Sequence, residues 1–269
     1  MGFKETTKNI AEEEPQQDDF DQQTPTILTE ADKYLKAGAH IGTKFKSGQM
    51  LKYVFKERKD GLKVMNIQTL DSRIKLVAEL LAKFEPKQIV VVSRKLYGHT
   101  AVKKFAEIIG CKEITGRFVP GTFTNPQSKQ FTELKALLAT ESDIDLQAIN
   151  EASSVHSVVV SLVSTNNTLK NVDLAVPINN KGRKSLALFY YLLAREYQKI
   201  KGAISSDSEF NYKVDDFEFI LQESHKEQAR LLMQQSRQNR GKRGSSSGPR
   251  RSDSRSSDRG SFRPRRDSF

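Results

Sequence analysis

Apolar residues in this chain fall into two alternating patterns. Short, nearly unbroken runs, such as Gln-Ile-Val-Val-Val-Ser at 88–93 and Val-Asp-Leu-Ala-Val at 172–176, have the character of strands covered on both faces. Between such runs, apolar residues return every three or four positions. Leu70, Ile74, Val77, Leu81 and Phe84 predict a helix over 69–84, and Val102, Phe105 and Ile109 one over 98–109. Phe189, Tyr190, Leu193, Tyr197 and Ile200 predict another from Leu186 onward. Further strands are expected at 62–67, 113–119, 134–140 and 155–163. Short helices are expected at 146–154 and at 29–36, where Thr29 is a candidate cap with Asp32 three residues on. One more helix is expected within 212–234, from Phe217, Ile220, Leu221, Ala229 and Leu232.

Strands that alternate with helices imply parallel βαβ units with right-handed crossovers. The fold class that follows is α/β: a flavodoxin-like three-layer sandwich with a central parallel sheet of five or six strands and helices on both faces. The strand order expected for it is 2-1-3-4-5, which alternation alone does not dictate. Periodicity fades at both ends. Residues 1–28 are polar and acidic and are expected to be a disordered tail. Residues 29–202 form the α/β core, 203–236 a C-terminal extension, and 237–269 a basic Ser/Arg-rich tail expected to be disordered.

Charge narrows the function. The net charge is +11 and the sequence pI about 9.6. Residues 1–28 contribute −5 and residues 237–269 contribute +8, so 29–236 hold the remaining +8. Both core and tail are therefore basic, which favours a polyanionic partner, nucleic acid before an acidic membrane surface. Cys111 is the single cysteine, so no disulfide within the chain is available and an oxidising compartment is not indicated. No apolar run reaches the length of a membrane span, and the acidic start does not resemble a signal peptide. A soluble intracellular protein is expected.

Candidate catalytic chemistry is sparse. Residues 116–122 copy the glycine spacing of a phosphate-binding loop, but the lysine that should precede Thr122 is missing and Val119-Pro120 suits no cradle of N–H groups. No G-x-G-x-x-G follows a strand. His40, His99, His156 and His225 are scattered, without metal-ligand spacing to Cys111. No metal or cofactor is expected. What recurs is cations just past strand ends: Arg94 and Lys95, Arg117, then Lys181, Arg183 and Lys184. Lys181, Arg183 and Lys184 open a helix, where free N–H groups and partial positive charge already favour an anion. Pro177 should end the preceding strand, and Asn179, Asn180 and Gly182 should tolerate the unusual dihedrals of a tight turn. A second basic stretch carries aromatics: Lys44, Phe45, Lys46, Lys52, Tyr53, Phe55, Lys56, Arg58 and Lys59. RNA phosphates are the expected ligand of these cations and of tail arginines including Arg250, Arg251, Arg263, Arg265 and Arg266.

Several motifs then point to a family. Ala37-Gly-Ala-His-Ile-Gly-Thr43, Asp60-Gly-Leu62, Val91-Val-Ser-Arg94 with Tyr97-Gly98, Gly116-Arg-Phe-Val-Pro-Gly-Thr-Phe-Thr-Asn-Pro126, Asn171-Val-Asp-Leu-Ala-Val-Pro177 and Asn179-Asn-Lys-Gly-Arg-Lys-Ser-Leu-Ala-Leu188, running into Leu193-Ala-Arg-Glu196, occur in order. Over about 29–202 the chain resembles the universal small-subunit ribosomal protein two family, in its archaeal and eukaryotic branch. Residues 181–184 look archaeal. The resemblance implies a structural, non-enzymatic, cytoplasmic protein. It would be a monomer within the ribosome, on small-subunit rRNA and neighbouring ribosomal proteins between head and body, with no membrane partner. The long helical hairpin of bacterial members is absent after Asn125. The acidic N-terminal extension and the Ser/Arg tail depart from the family pattern. The competing reading is a Rossmann-like nucleotide-binding enzyme acting on phosphorylated substrates.

Overall fold

A computed structural model describes residues 28–220 of the chain. Its centre is a parallel sheet of β3 (Ile89–Ser93), β4 (Lys112–Thr115), β5 (Ala136–Ala139), β6 (Val158–Val163) and β7 (Leu174–Pro177), in the order β4-β3-β5-β6-β7. Counted within the sheet this is 2-1-3-4-5, the expected arrangement. Every residue of β3 and β5 is buried, as their unbroken apolar runs require. β7 is an edge strand and ends on Pro177, whose missing N–H costs no ladder bond there.

One face of the sheet is covered by α2 (Ile67–Ala82), α3 (Leu96–Ile109) and α5 (Arg183–Ile200). α1 (Ala31–Ala37) packs against α5. The expected inward residues Leu70, Ile74, Val77, Leu81, Val102, Phe105 and Ile109 are all buried in this cluster. α5 starts three residues before Leu186 and buries residues nearly all round. Tyr190 lies at its centre, donating to or accepting from Thr140 Oγ1 at 2.8 Å.

The other face is covered more thinly. Among the described residues, α4 (Leu146–Ser154) is the one helix on it, through Ala148, Ile149 and Ala152. Phe118, Phe123 and Leu134, from the loop joining β4 to β5, fill the rest of that cluster. Over β6 and β7 the cover is a 3-10 turn, Gly48–Tyr53, which buries Met50 and Tyr53 against Val163 and Ala175. Helices thus do not cover both faces fully, because the β4–β5 and β6–β7 connections are loops.

Other boundaries shift for local reasons. Of the strand expected at 62–67, only β2 (Lys63–Met65) forms. It pairs antiparallel with β1 (Val54–Glu57) in a separate two-stranded sheet, so the parallel sheet has five strands. The strand expected over 113–119 ends at Thr115, where Gly116 adopts a positive φ of 93°. α1 is capped at Glu30, not Thr29, without a side-chain cap bond. Within 212–220 the structure has a 3-10 turn, Val214–Phe217, instead of the start of a long helix. The remainder of that expected helix lies outside the described residues.

Gly98 shows what close packing demands. A Cβ there would sit 2.5 Å from Ser93 Oγ and 3.2 Å from Thr140 Cγ2, so α3 can approach the ends of β3 and β5 only without a side chain. Gly98→Ala should therefore destabilise the fold by about 1–3 kcal/mol, read as a lower urea midpoint. An unchanged midpoint would mean that α3 is free to shift outward.

Candidate nucleic-acid interface

In a doubly wound sheet the ligand crevice lies at the carboxyl ends of the strands, where the chain winds off in opposite directions. Here that point is between β3 and β5, since α3 lies on one face and α4 on the other. The crevice is closed by the protein's own acids. Buried Asp145 accepts the Arg94 N–H on Oδ1 at 2.9 Å and the Glu141 N–H on Oδ2 at 3.1 Å. Lys95 pairs with buried Glu141 and donates to the Asn180 carbonyl at 3.1 Å. A carboxylate therefore takes the backbone donors that a phosphate would need.

The loop at 116–122 is closed in the same way. Glu151, buried on α4, accepts the Gly121 N–H at 2.8 Å and the Phe123 N–H at 3.3 Å. Gln147 braces that carboxylate at 2.9 Å. Two of the places where a nucleotide phosphate would bind are thus filled from within, by acids that sequence reasoning missed. The signal was there in outline: Glu141 lies two residues past β5 and Asp145 immediately before α4, on the loop that leaves the sheet next to Arg94 and Lys95.

The expected cations divide into two groups. Lys95 is tied inward, with a side chain only 18% exposed. Arg183 is half-buried and donates to the Phe219 carbonyl at 3.3 Å, with Glu218 at 4.0 Å. Lys44, Lys46, Lys52, Lys56, Arg58, Arg94, Arg117, Lys181 and Lys184 are all exposed. Arg117 stands beside Lys112 and Lys129 in a cavity along the edge strand β4. Arg250, Arg251, Arg263, Arg265, Arg266 and His225 lie outside the described residues.

Three segments meet beside the closed crevice. Thr43 N–H donates to Thr165 Oγ1 at 2.8 Å, and Ser47 N–H to the Thr165 carbonyl at 2.8 Å, so the basic 43–59 stretch is docked on the loop after β6. Gly42 permits this, because a Cβ there would lie 2.5 Å from Thr165 Cγ2. Asn167, buried in that loop, accepts from Asn180 Nδ2 at 3.0 Å and donates to Asp143 at 2.6 Å. Lys181 Nζ reaches Asn166 Oδ1 at 3.5 Å. Asn179, Asn180 and Gly182 do not adopt the left-handed backbone expected of them, and Gly182 has φ −86°. Their side chains and close packing shape the turn instead. α5 opens at Gly182 without a side-chain cap and without an acid in its first turn, leaving its leading N–H groups next to exposed Lys181 and Lys184.

Cys111 packs against the core, and burial pushes its thiol up to about 12. Burial holds the His40 imidazole below its ordinary range. Among the described residues, no group of three His, Cys, Asp or Glu could hold a metal, and no helix is long and apolar enough to cross a membrane.

Crevices closed by the protein's own acids, beneath an exposed cationic rim, define a class: an α/β platform with a basic outer surface. Comparison with known proteins makes this specific. The family model described as Ribosomal protein S2 matches residues 34–147. The small ribosomal subunit protein uS2 of Thermoplasma acidophilum is 44% identical over 192 residues, spanning 71% of this chain and 96% of that protein. That of Thermoplasma volcanium matches equally, and that of Thermofilum pendens is 42% identical over 192 residues, spanning 90% of its length. The chain belongs to the ribosomal protein S2 family, on its archaeal side, and that family is structural and non-enzymatic.

Two outcomes check this geometry. Lys95→Met should destabilise the fold by about 3 kcal/mol, because it strands a buried carboxylate, whereas Lys184→Ala should leave the urea midpoint unchanged. The second concerns Asp145, whose carboxyl burial pushes up to about 6 against the lowering effect of its two N–H bonds. Unfolded, it titrates near 4. Between those values the native state keeps a proton that the unfolded state has released. Its contribution is fully present below about 4 and is lost as pH rises through about 6. The stability of Asp145→Asn relative to the unmodified protein should therefore rise by about 2 kcal/mol from pH 4 to pH 7. Urea titrations at both pH values measure it, and a flat difference would assign the carboxyl an ordinary pKa.

Proposed function

We propose that this chain is a structural constituent of the small ribosomal subunit, bound to its rRNA and to neighbouring ribosomal proteins, and cytoplasmic as that subunit is. It acts as one copy per subunit, between head and body, as the resemblance implies. The observation that carries this reading is the separation of charges around the strand ends. Acids close the crevices from within, while Lys44, Lys46, Arg94, Lys181 and Lys184 stay exposed beside the open N-terminus of α5. Such an arrangement holds phosphates of a large ligand at a surface and does not enclose a small one. The rigid sheet beneath fixes the spacing of the cations. A-form RNA presents mainly backbone and 2′-hydroxyls to such a surface, so shape dominates over base reading.

On this reading the ends of the chain have a secondary role. The core, residues 29–202, carries the primary contact, and the basic residues at 237–269 add sequence-independent attraction.

Sedimentation of lysate through a sucrose gradient tests this directly. The full chain should travel with small subunits and resist a moderate-salt wash. A truncation ending at residue 236 should do so too, with a shallower salt dependence. Each exposed lysine that neutralises a phosphate and is replaced by alanine should reduce the slope of log affinity against log salt by about 0.7–0.9. Failure of both chains to leave the top of the gradient would remove the ribosomal reading. A saturable rise in melting temperature with ATP or NAD would favour an enzyme instead.

A further inference from the structure

Two phenylalanines stand out among the exposed side chains. Phe45 is 79% exposed and Phe55 73%, the two most exposed aromatic residues among those described. Their segment does not lack a core to enter, since Met50 and Tyr53 between them are buried against β6 and β7. These two rings are held out by the backbone that carries them.

At Phe45 the main chain is fixed from two sides. Its carbonyl accepts from Thr43 Oγ1 at 2.8 Å and from Thr165 Oγ1 at 3.1 Å, and Ser47 N–H is bound by the Thr165 carbonyl. At Phe55 the cause is a β-bulge. Val54 pairs with Met65 and Lys56 with Val64, so Phe55 is the extra residue and has no counterpart on β2. Bulges of this kind re-aim a side chain. Both rings are therefore presented on ordered backbone, so the main chain beneath them has little conformational freedom left to lose on binding.

Their surroundings select the ligand. Lys44 and Lys46 flank Phe45 directly, and Lys56 follows Phe55, with Lys52 and Arg58 close by in sequence; all five are exposed. The acids in this segment are few. Glu57 is paired with buried Lys63, and Asp60 lies in the exposed turn between β1 and β2. An apolar protein surface covering either ring would have to strip water from the adjoining ammonium groups without replacing it. An unpaired nucleotide presents a flat face to the ring and a phosphate to each neighbouring lysine.

We propose that Phe45 and Phe55 each stack an unpaired base of RNA, with Lys44 and Lys46 at one ring and Lys52 and Lys56 at the other holding the flanking phosphates. The inference rests on the ribosomal reading above and deepens it. Besides the cationic rim for backbone, the protein has two stations for single-stranded nucleotides, tolerant of base identity because every base has a π-face.

The test uses the full chain and three probes: a 3′-labelled ten-nucleotide oligouridylate, an abasic ribose-phosphate oligomer of the same length, and purified small subunits. Phe45→Ala and Phe55→Ala should each weaken oligouridylate binding about tenfold and leave the abasic oligomer within about twofold. Phe→Trp at either position should restore binding. Melting temperatures should be unchanged, since neither ring is packed. Ultraviolet irradiation with oligouridylate, followed by peptide mass spectrometry, should place adducts on Phe45 and Phe55 whatever the tail arginines contribute to affinity. If oligouridylate binding and adduct positions ignore both substitutions, stacking is overturned while the ribosomal reading stands. If the alanine variants bind oligouridylate normally but lose small subunits, the rings contact a neighbouring protein and the proposal is wrong. If the unmodified protein binds no probe, both readings fall together.

Discussion

The buried carboxylate of Asp145, bridging the N–H groups of Arg94 and Glu141, is the interaction on which the rest of this structure depends. It joins the ends of β3 and β5 at the one place where a doubly wound sheet is open by construction. Burying an unpaired charge there would be prohibitive, and burial does lift its pKa. Two backbone donors and the nearby Lys95 ammonium make the site tolerable. Glu151 repeats the device beneath the 116–122 loop. A fold that elsewhere encloses phosphates is thereby converted into a closed body.

Closure has a consequence for the outer surface. With Lys95 held by Glu141 and the Asn180 carbonyl, the turn after β7 is fixed relative to the end of β3. Asn180 and Asn167 extend that tie to the loop after β6, and Thr165 carries it to Thr43. The cations on these turns therefore stand on backbone that cannot drift apart. For the proposed binding of RNA this matters more than the number of charges. A phosphate array has a set spacing, and a surface already arranged to meet it loses less entropy on binding.

Adjacent residues can serve opposite purposes. Arg94 projects into solvent and Lys95 turns inward, although both follow β3 and carry the same charge. The same split separates Lys184 from Arg183, which reaches back to Phe219. Just beyond the segment at 43–59, Lys63 is the buried cation that no inspection of basic clusters singles out, because it belongs to β2 and pairs with Glu57 across the hairpin. Charge density indicates the kind of ligand. Which cations meet it depends on where the acids are.

The inward faces of α2 and α3 and the membership of the family were legible in the sequence, because each follows from periodicity or from contiguous motifs; the alternation of elements is compatible with the strand order 2-1-3-4-5 without dictating it. Hydrophobic spacing is local, and unbroken apolar runs such as Ile89–Ser93 have only one environment that suits them. The sequence also determined that the chain is strongly basic, since charge is additive along a chain, and this is what favours a polyanionic partner. Tertiary structure alone decided how the second face is covered, that residues 63–65 join a separate hairpin, and which cations are tied inward. Lys95 meets Glu141 across 46 positions, Thr43 meets Thr165 across 122, and Gly121 meets Glu151 across 30. Such contacts are set by how strands and loops stack in space, so no local pattern can encode them.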